Sequence, residues 1–570
     1  MPILKRLGLR TAQDAFKAAL VAAMVIVMGV FIVFPLYEMF RQAFLSKDGQ
    51  FVGFGNFAAY FRTPSLARSV LHSLNVSLWS TFVAVSLAFG FAYALVRTNM
   101  RGKRIYQYIV LLPLFAPTMM HGIGLVYLFG NQGLITTGFF GSVPVHWKAE
   151  LYGPFGIILS EIVYTFPHAF LILTVALSSA DGRLYEAAES MGAGIVRRFV
   201  RLTLPNAKYG LISAVFVCFT LSFTDFGAPK VVGGQYNVLA TDIYKQVIGQ
   251  QNFMMGSVVG LLLTLPALAA FVADRLADRK QQAYTNARST ALKVRPNRAR
   301  NVVAHLYCGI VAGCVLVLIG AVAYASVVKV WPYKLELTWS HYDFSHVAAE
   351  GMKPFRNSVW IATYTAIAGT IVTFLFAYVN EKAKIWPFVR RIGQFLSILP
   401  LALPGLVIGL GFIFFFNKPH MPLHFLYGTA AILVIVNVVH FYSVPYLTAV
   451  TALKKLDPDF ERAAESMGAP AYRTFFRVTV PLALPAILEM AVYYFVNAMV
   501  TVSAVIFLYS ADWKLAAVSI VNMDDAGDVA EAAAMSMLVL GTNVVMRLVY
   551  ELATHGIRRR AAAWRKPANE

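Results

Sequence analysis

The chain alternates long apolar runs with short polar, mostly basic stretches. Crossing about 30 Å of hydrocarbon as a helix takes about 20 predominantly apolar residues. Twelve runs meet that length, near 18–37, 70–96, 107–130, 154–177, 209–228 and 253–273, then 302–328, 357–380, 393–416, 428–450, 483–509 and 529–552. Each predicts a membrane-spanning helix, so the expected fold class is all-α and polytopic. The first run follows Lys5, Arg6 and Arg10, as in a signal peptide. It is longer than an h-region of about 7–15 residues, and no A-x-A-like site follows, so it reads as an uncleaved first span. Between the sixth and seventh runs, 275–301 is polar and basic, contains Pro296 and has no apolar period. It reads as a linker between a first half, 1–274, and a second half, 302–570.

The halves are copies. Ala187-Ala188-Glu189-Ser190-Met191-Gly192-Ala193 recurs letter for letter as Ala463-Ala464-Glu465-Ser466-Met467-Gly468-Ala469. In the same register Phe199 meets Phe475, Arg201 meets Arg477, Thr203 meets Thr479, Pro205 meets Pro481, and Leu239-Ala240 meets Leu515-Ala516. With a few residues of slippage, Leu112-Pro113-Leu114-x-x-Pro117 matches Leu399-Pro400-Leu401-x-x-Pro404, and Phe91-Ala92-Tyr93 matches Phe376-Ala377-Tyr378. Each half has six spans and one long loop between its fourth and fifth. Six is even, so the halves share one orientation and are related by a pseudo-two-fold axis along the membrane normal.

Charge fixes the expected orientation. Basic residues gather at the N-terminus, in 97–104, 183–208, 275–300, 382–391 and 454–477, and in the tail with Arg558, Arg559, Arg560, Arg565 and Lys566. These are alternate loops, so all lie on one side. The positive-inside rule makes that side cytoplasmic, with both termini. Composition agrees: 58% of residues are hydrophobic and 14% charged, against roughly 25% charged in soluble domains. The net charge of +21 is accounted for by this topology, which leaves no case for nucleic acid as a partner. Cys218, Cys308 and Cys314 lie in apolar stretches without a C-x-x-C and read as small buried hydrophobes.

The loop 181–208 reads as a short helix capped by Asp181, a glycine break at Gly192, and a basic second helix with Arg197, Arg198 and Arg201, leading through Pro205 into the next span. Ala187 and Ala188 leave room for a close partner, and Gly192 suits either a helix C′ position or a close backbone approach. A single copy reads equally as a plain amphipathic connector. Two near-identical copies, within diverged halves, favour docking of a partner with two equivalent sites. The loop resembles the EAA loop of bacterial ATP-binding-cassette importer permeases, E-A-A-x-x-x-G followed by a hydrophobe and Pro. Glu186-Ala187-Ala188-x-x-x-Gly192, ending at Leu204-Pro205, matches it. The second copy, 454–482, keeps Ala463, Ala464 and Gly468 but places Arg462 where the family has Glu, with Glu461 one residue earlier. The resemblance implies a type I importer permease fold whose two loops seat in two copies of a separate ATPase. A periplasmic solute-binding protein would deliver the solute, and lipid would surround the spans. The chain shows no G-x-x-x-x-G-K-[ST] and no Ser-His-Asp or H-E-x-x-H arrangement, so neither a catalytic site nor a cofactor is expected.

Ionisable and amide residues at bilayer depth are functional candidates. Asp225, Asn437, His440, Glu489 and Asn497 are taken as translocation-path residues, and Glu161, His168, Asn543 and Arg547 also fall in or near spans. Pro113, Pro117, Pro400 and Pro404 predict a bent third span in each half. Asp524-Asp525-x-x-Asp528 lacks EF-hand spacing and reads as a solvated periplasmic turn rather than a metal site. Stretches 224–253 and 504–528 look most like 2-aminoethylphosphonate permeases, with Lys230 and Lys245 suited to an anion and the Asp group to an amine. Ferric iron and thiamine permeases of the same fused plan are the alternatives. A secondary transporter with duplicated halves is the rival class, and the paired loops argue against it.

Overall fold

The computed structural model describes residues 12–141, 150–284, 294, 296–382, 386–457 and 459–563. Part of the 275–301 linker lies outside the described residues, as do Lys5, Arg6, Arg10, Arg565 and Lys566. Among the described residues, nine helices are long and apolar enough to cross a membrane, and twelve spans result if three sharply bent pairs each count as one. In chain order the first half gives α1 (Ala18–Gln42), α2 (Pro64–Arg97), the bent pair α3 (Lys103–Phe115) and α4 (Thr118–Phe129), and α5 (Pro154–Ser178). There follow α6 (Gly182–Ser190), α7 (Ile195–Thr224), α8 (Gly227–Val232), α9 (Leu239–Tyr244) and α10 (Phe253–Leu276). The second half begins with α11 (Arg298–Ala325) and a small antiparallel hairpin of β1 (Val328–Val330) and β2 (Lys334–Leu337). It continues with α12 (Lys353–Lys382), the bent pair α13 (Pro387–Ala402) and α14 (Gly405–Phe416), and a second bent pair, α15 (Ala430–His440) and α16 (Ser443–Lys454). It closes with α17 (Asp459–Ser466), α18 (Tyr472–Val500), α19 (Ala516–Ala526) and α20 (Val529–Gly556).

The prolines act where the repeat predicts. The third span of each half turns sharply, by 105° between α3 and α4 and by 115° between α13 and α14. Ala116 and Leu403, each just before a proline, are extended, because a following proline disfavours the α region. A further break of 59° separates α15 from α16. The run 428–450 reads as one span in sequence. Pro445 has no N–H to return to the carbonyl of Phe441, and the helix gives way there. The runs 209–228 and 483–509 also start later in sequence than in structure. The helices α7 and α18 reach back continuously into the basic loops, through π-helical turns at Phe199–Thr203 and Phe475–Thr479. Each π turn lies just ahead of Pro205 or Pro481 and shifts the hydrogen-bond register before the residue that cannot donate.

The chain packs as two units. One comprises 42–351 with 519–538, and the other the described residues up to 41, 352–518 and those from 539 onward. The first helix of each sequence half therefore packs with the other half's spans. In the first unit, α11 lies against α4 and α2: Tyr307 donates to the Leu87 carbonyl at 2.8 Å, and a Cβ on Gly124 would meet Leu318 and Val322 at 3.0 Å. In the second unit, α1 lies against α13 and α14. Phe31 stacks on Phe416 with centroids 5.9 Å apart, Glu38 pairs with Lys418 at 2.7 Å, and Gly411 faces the Pro35 carbonyl. Gly124 and Gly411 occupy matching places on the two broken spans, each seven residues after its proline.

A Cβ at Gly411 would sit 2.8 Å from the Pro35 oxygen, which is backbone and cannot rotate away. Gly411→Val is expected to destabilise the chain by about 1–3 kcal/mol and to lower its melting temperature in detergent by several degrees. Gly541→Val, with nothing within 4 Å, leaves that temperature unchanged in the same thermal-shift measurement.

Candidate functional site

The two loops fold alike. Asp181 caps α6 by accepting from the Arg183 amide at 3.1 Å. At the other end the Gly192 amide donates to Glu189 and the Ala193 amide to Ala188, both at 2.9 Å, with Gly192 at φ +74°. This is the Schellman arrangement, which satisfies the last carbonyls of the helix. In the second copy the Ala469 amide donates to Ala464 at 3.0 Å and Gly468 has φ +70°. Neither glycine has any atom within 4 Å of an added Cβ. The left-handed backbone requires these glycines, and no close approach within the chain does.

The same faces are presented in both loops. Ala188 and Ala464 are buried; Ala187 and Ala463 are exposed. Leu184 and Phe460, Met191 and Met467, and Val196 and Tyr472 stand at equivalent positions and are all exposed, the methionines at 79% each. Large apolar side chains are thus left in the open at matched positions of the two loops. Glu186 is exposed, and the side chains of Glu461 and Arg462 lie outside the described residues. The loop is fastened from below: Arg97 donates to the Leu177 carbonyl at 3.2 Å and to the Tyr185 hydroxyl at 3.1 Å, its guanidinium lying over the Tyr185 ring. Tyr185 in turn donates to Thr203 at 3.0 Å. Sequence reading took Arg97 only as loop charge and passed over Tyr185.

The polar residues of the spans are placed differently from one another. Asp225 ends α7 and accepts from the Ala228 amide at 2.9 Å. The wholly buried Glu161 of α5 faces it. Asn437 is wholly buried with neither amide atom hydrogen-bonded, and the His440 ring lies against Gly405 at the break of the third span. Asn497 donates to the Tyr493 carbonyl of its own helix at 2.8 Å. Glu489 is half exposed and paired with Arg547 at 3.0 Å. His168 hydrogen-bonds the Tyr164 carbonyl. Asp524 and Asp525 do not form a free turn: they lie in the last turn of α19, where Asp525 pairs with Lys230 at 2.6 Å. Burial, with Asp525 beside it, pushes the Asp524 carboxyl up to about 6. Lys230 is thus neutralised, which removes it as a free anion ligand. Among the described residues, no three His, Cys, Asp or Glu side chains are grouped to hold a metal ion.

Two stretches of the chain, 84–283 and 369–559, match the family of binding-protein-dependent transport system inner membrane components. The chain belongs to this family. It is a multi-pass permease with two family repeats fused in one polypeptide. The ferric transport system permease protein FbpB of Actinobacillus pleuropneumoniae is 26% identical over 94% of this chain and 78% of its own length. A putative ferric transport system permease protein, FbpB 1, of Haemophilus influenzae is 28% identical over 88% of this chain and 79% of its own. A solved bacterial alginate importer, in complex with an alginate pentasaccharide-bound periplasmic protein, covers 50% of this chain and 99% of its own at 18% identity, with a TM-score of 0.41.

Within the permease one repeat register runs from the start of α5 to the end of α7 and from the start of α15 to the end of α18, although α5 is continuous where α15 and α16 are broken apart. Pro154 and Ala430 open α5 and α15, and Thr224 and Val500 close α7 and α18. Glu161 therefore corresponds to Asn437, Tyr164 to His440 and Asp225 to Thr501. Extending that ungapped alignment upstream of the loop is the signal that would have singled out Glu161 from sequence.

Tyr185→Phe removes the hydroxyl that joins Arg97 to Thr203. The loss of a buried hydrogen bond, about 1–3 kcal/mol, is expected to raise amide exchange in 183–191 by roughly 5- to 150-fold while 154–178 is unchanged. Hydrogen-exchange mass spectrometry of the whole chain checks this.

Proposed function

We propose that the chain forms the translocation path of an ATP-driven importer for ferric iron. A periplasmic binding protein delivers the cargo, and two copies of a separate ATPase dock on α6 and α17 from the cytoplasmic side. The observation that carries the reading is the pair of helix–glycine elements with the same fold and the same exposed apolar positions. Their partner must have two equivalent sockets. The Schellman caps make each element rigid. Its second helix is continuous with α7 or α18, so movement at the socket passes into a span without a flexible joint. Both termini lie on the socket side in this scheme. Closure of the ATPases draws the elements together and hydrolysis releases them.

Ferric iron is favoured over 2-aminoethylphosphonate because several relatives that span most of the chain are named for ferric transport. The pairing of Lys230 with Asp525 also weakens the anion-binding argument. A carboxylate at the glycine of either cap adds charge and left-handed strain where an apolar socket must close. Gly192→Asp and Gly468→Asp are each expected to insert into the membrane at normal levels and to cut ferric iron uptake by more than about tenfold, as the family of cap costs and charge burial together imply. Radioactive iron uptake in cells that depend on this transporter is the measurement. Wild-type uptake by the double variant would remove the docking assignment, and uptake of 2-aminoethylphosphonate in place of iron would reverse the substrate assignment.

A further inference from the structure

Glu161 lies in the second turn of α5, about 10 Å along the helix from its start, in a segment that crosses the membrane. It is wholly buried, and neither carboxyl oxygen makes a hydrogen bond of acceptable geometry. The groups that act on it are the Asp225 carboxyl and the Ser222 hydroxyl. Asp225 is itself held by the Ala228 amide and the Thr118 hydroxyl. Ser222 extends the chain of oxygens to Ser80 at 2.8 Å. Thr118 opens α4 just after the proline break, so the cluster draws on α2, α4, α5 and α7 within one packing unit. Among the described residues, neither carboxyl is ion-paired with a lysine or arginine. Two facing carboxyls buried without a protein cation are costly unless a proton or a metal ion joins them.

The other half argues against a purely structural role. At the equivalent places it carries Asn437 and Thr501, so the corresponding segments fold with neutral residues there. The acidic pair is an addition in one half. Its donors are all oxygen, the preference of hard cations.

We infer that Glu161 and Asp225, with the hydroxyls of Thr118 and Ser222, form a transit site for a hard metal cation in the first half of the permease. This inference rests on the reading of the cargo as ferric iron. The cation takes the place of the shared proton when the surrounding helices part, and the oxygens close on one another when it leaves.

Tb³⁺ tests the site apart from the cargo. It is a hard trivalent cation, and its luminescence can be excited through an aromatic neighbour. Tyr164, one turn beyond Glu161 on α5, is such a neighbour. Titration of the purified full chain is expected to show saturable luminescence, with apparent affinity reduced at least about tenfold in Glu161→Gln and in Asp225→Asn. Glu336→Gln, on the exposed strand β2, titrates like the wild type. In cells the first two variants lose ferric iron uptake by a similar factor at normal membrane levels. No Tb³⁺ binding by the wild type, or equal binding by all four proteins, overturns the site whatever the cargo is. Tb³⁺ binding that depends on Glu161 and Asp225, in a chain that does not take up iron, upholds the site and overturns the iron reading.

Discussion

Backbone amides and carbonyls that enter hydrocarbon must be hydrogen-bonded within the chain, since no water is there to take them. That requirement makes nearly every long element here a helix, and it makes certain prolines structural events. Where the chain meets Pro117 and Pro404 it abandons the helix and turns by more than 100°. Where it meets Pro205 and Pro481 it keeps the helix by widening it into a π turn first. The first response creates irregular backbone deep in the fold, next to Gly405, His440 and Thr118. The second keeps the basic second helix of each exposed loop continuous with a span. Bends and rigid connections thus come from the same constraint, resolved in two ways.

The two halves obey that constraint with the same parts. The caps at Gly192 and Gly468 and the π turns recur in register, and the third-span breaks recur with a shift of a few residues, while the buried acidic pair does not recur. Glu161 and Asp225 stand opposite Asn437 and Thr501. The exposed helix–glycine elements are duplicated, and the acidic pair within the spans is not. A repeat that has kept its outer joints and changed its inner chemistry fits a machine driven symmetrically that handles its cargo asymmetrically.

Much of this was legible in the sequence. Span number followed from apolar length, the broken third spans from Pro113, Pro117, Pro400 and Pro404, and the loop geometry from Ala-Ala and glycine at fixed spacing. What escaped was whatever depends on packing between distant helices. The α15–α16 break was hidden because Pro445 lies within an unbroken apolar run. The exchange of first helices between units turns on Gly124 and Gly411, and a single glycine in an apolar stretch carries no address. Lys230 and Asp525 looked like free charges because nearly 300 residues separate them. Tyr185 looked like one more aromatic until Arg97 and Thr203 were placed around it.

The central claim is that α6 and α17 are two equivalent seats for an ATPase. Single cysteines at Met191 and at Met467, in a chain whose three native cysteines are serine, test it directly by crosslinking in membranes that contain the ATPase. Both positions are predicted to crosslink to that subunit, and the double variant to two copies of it. Crosslinking at neither position, with the transporter active, would contradict the account.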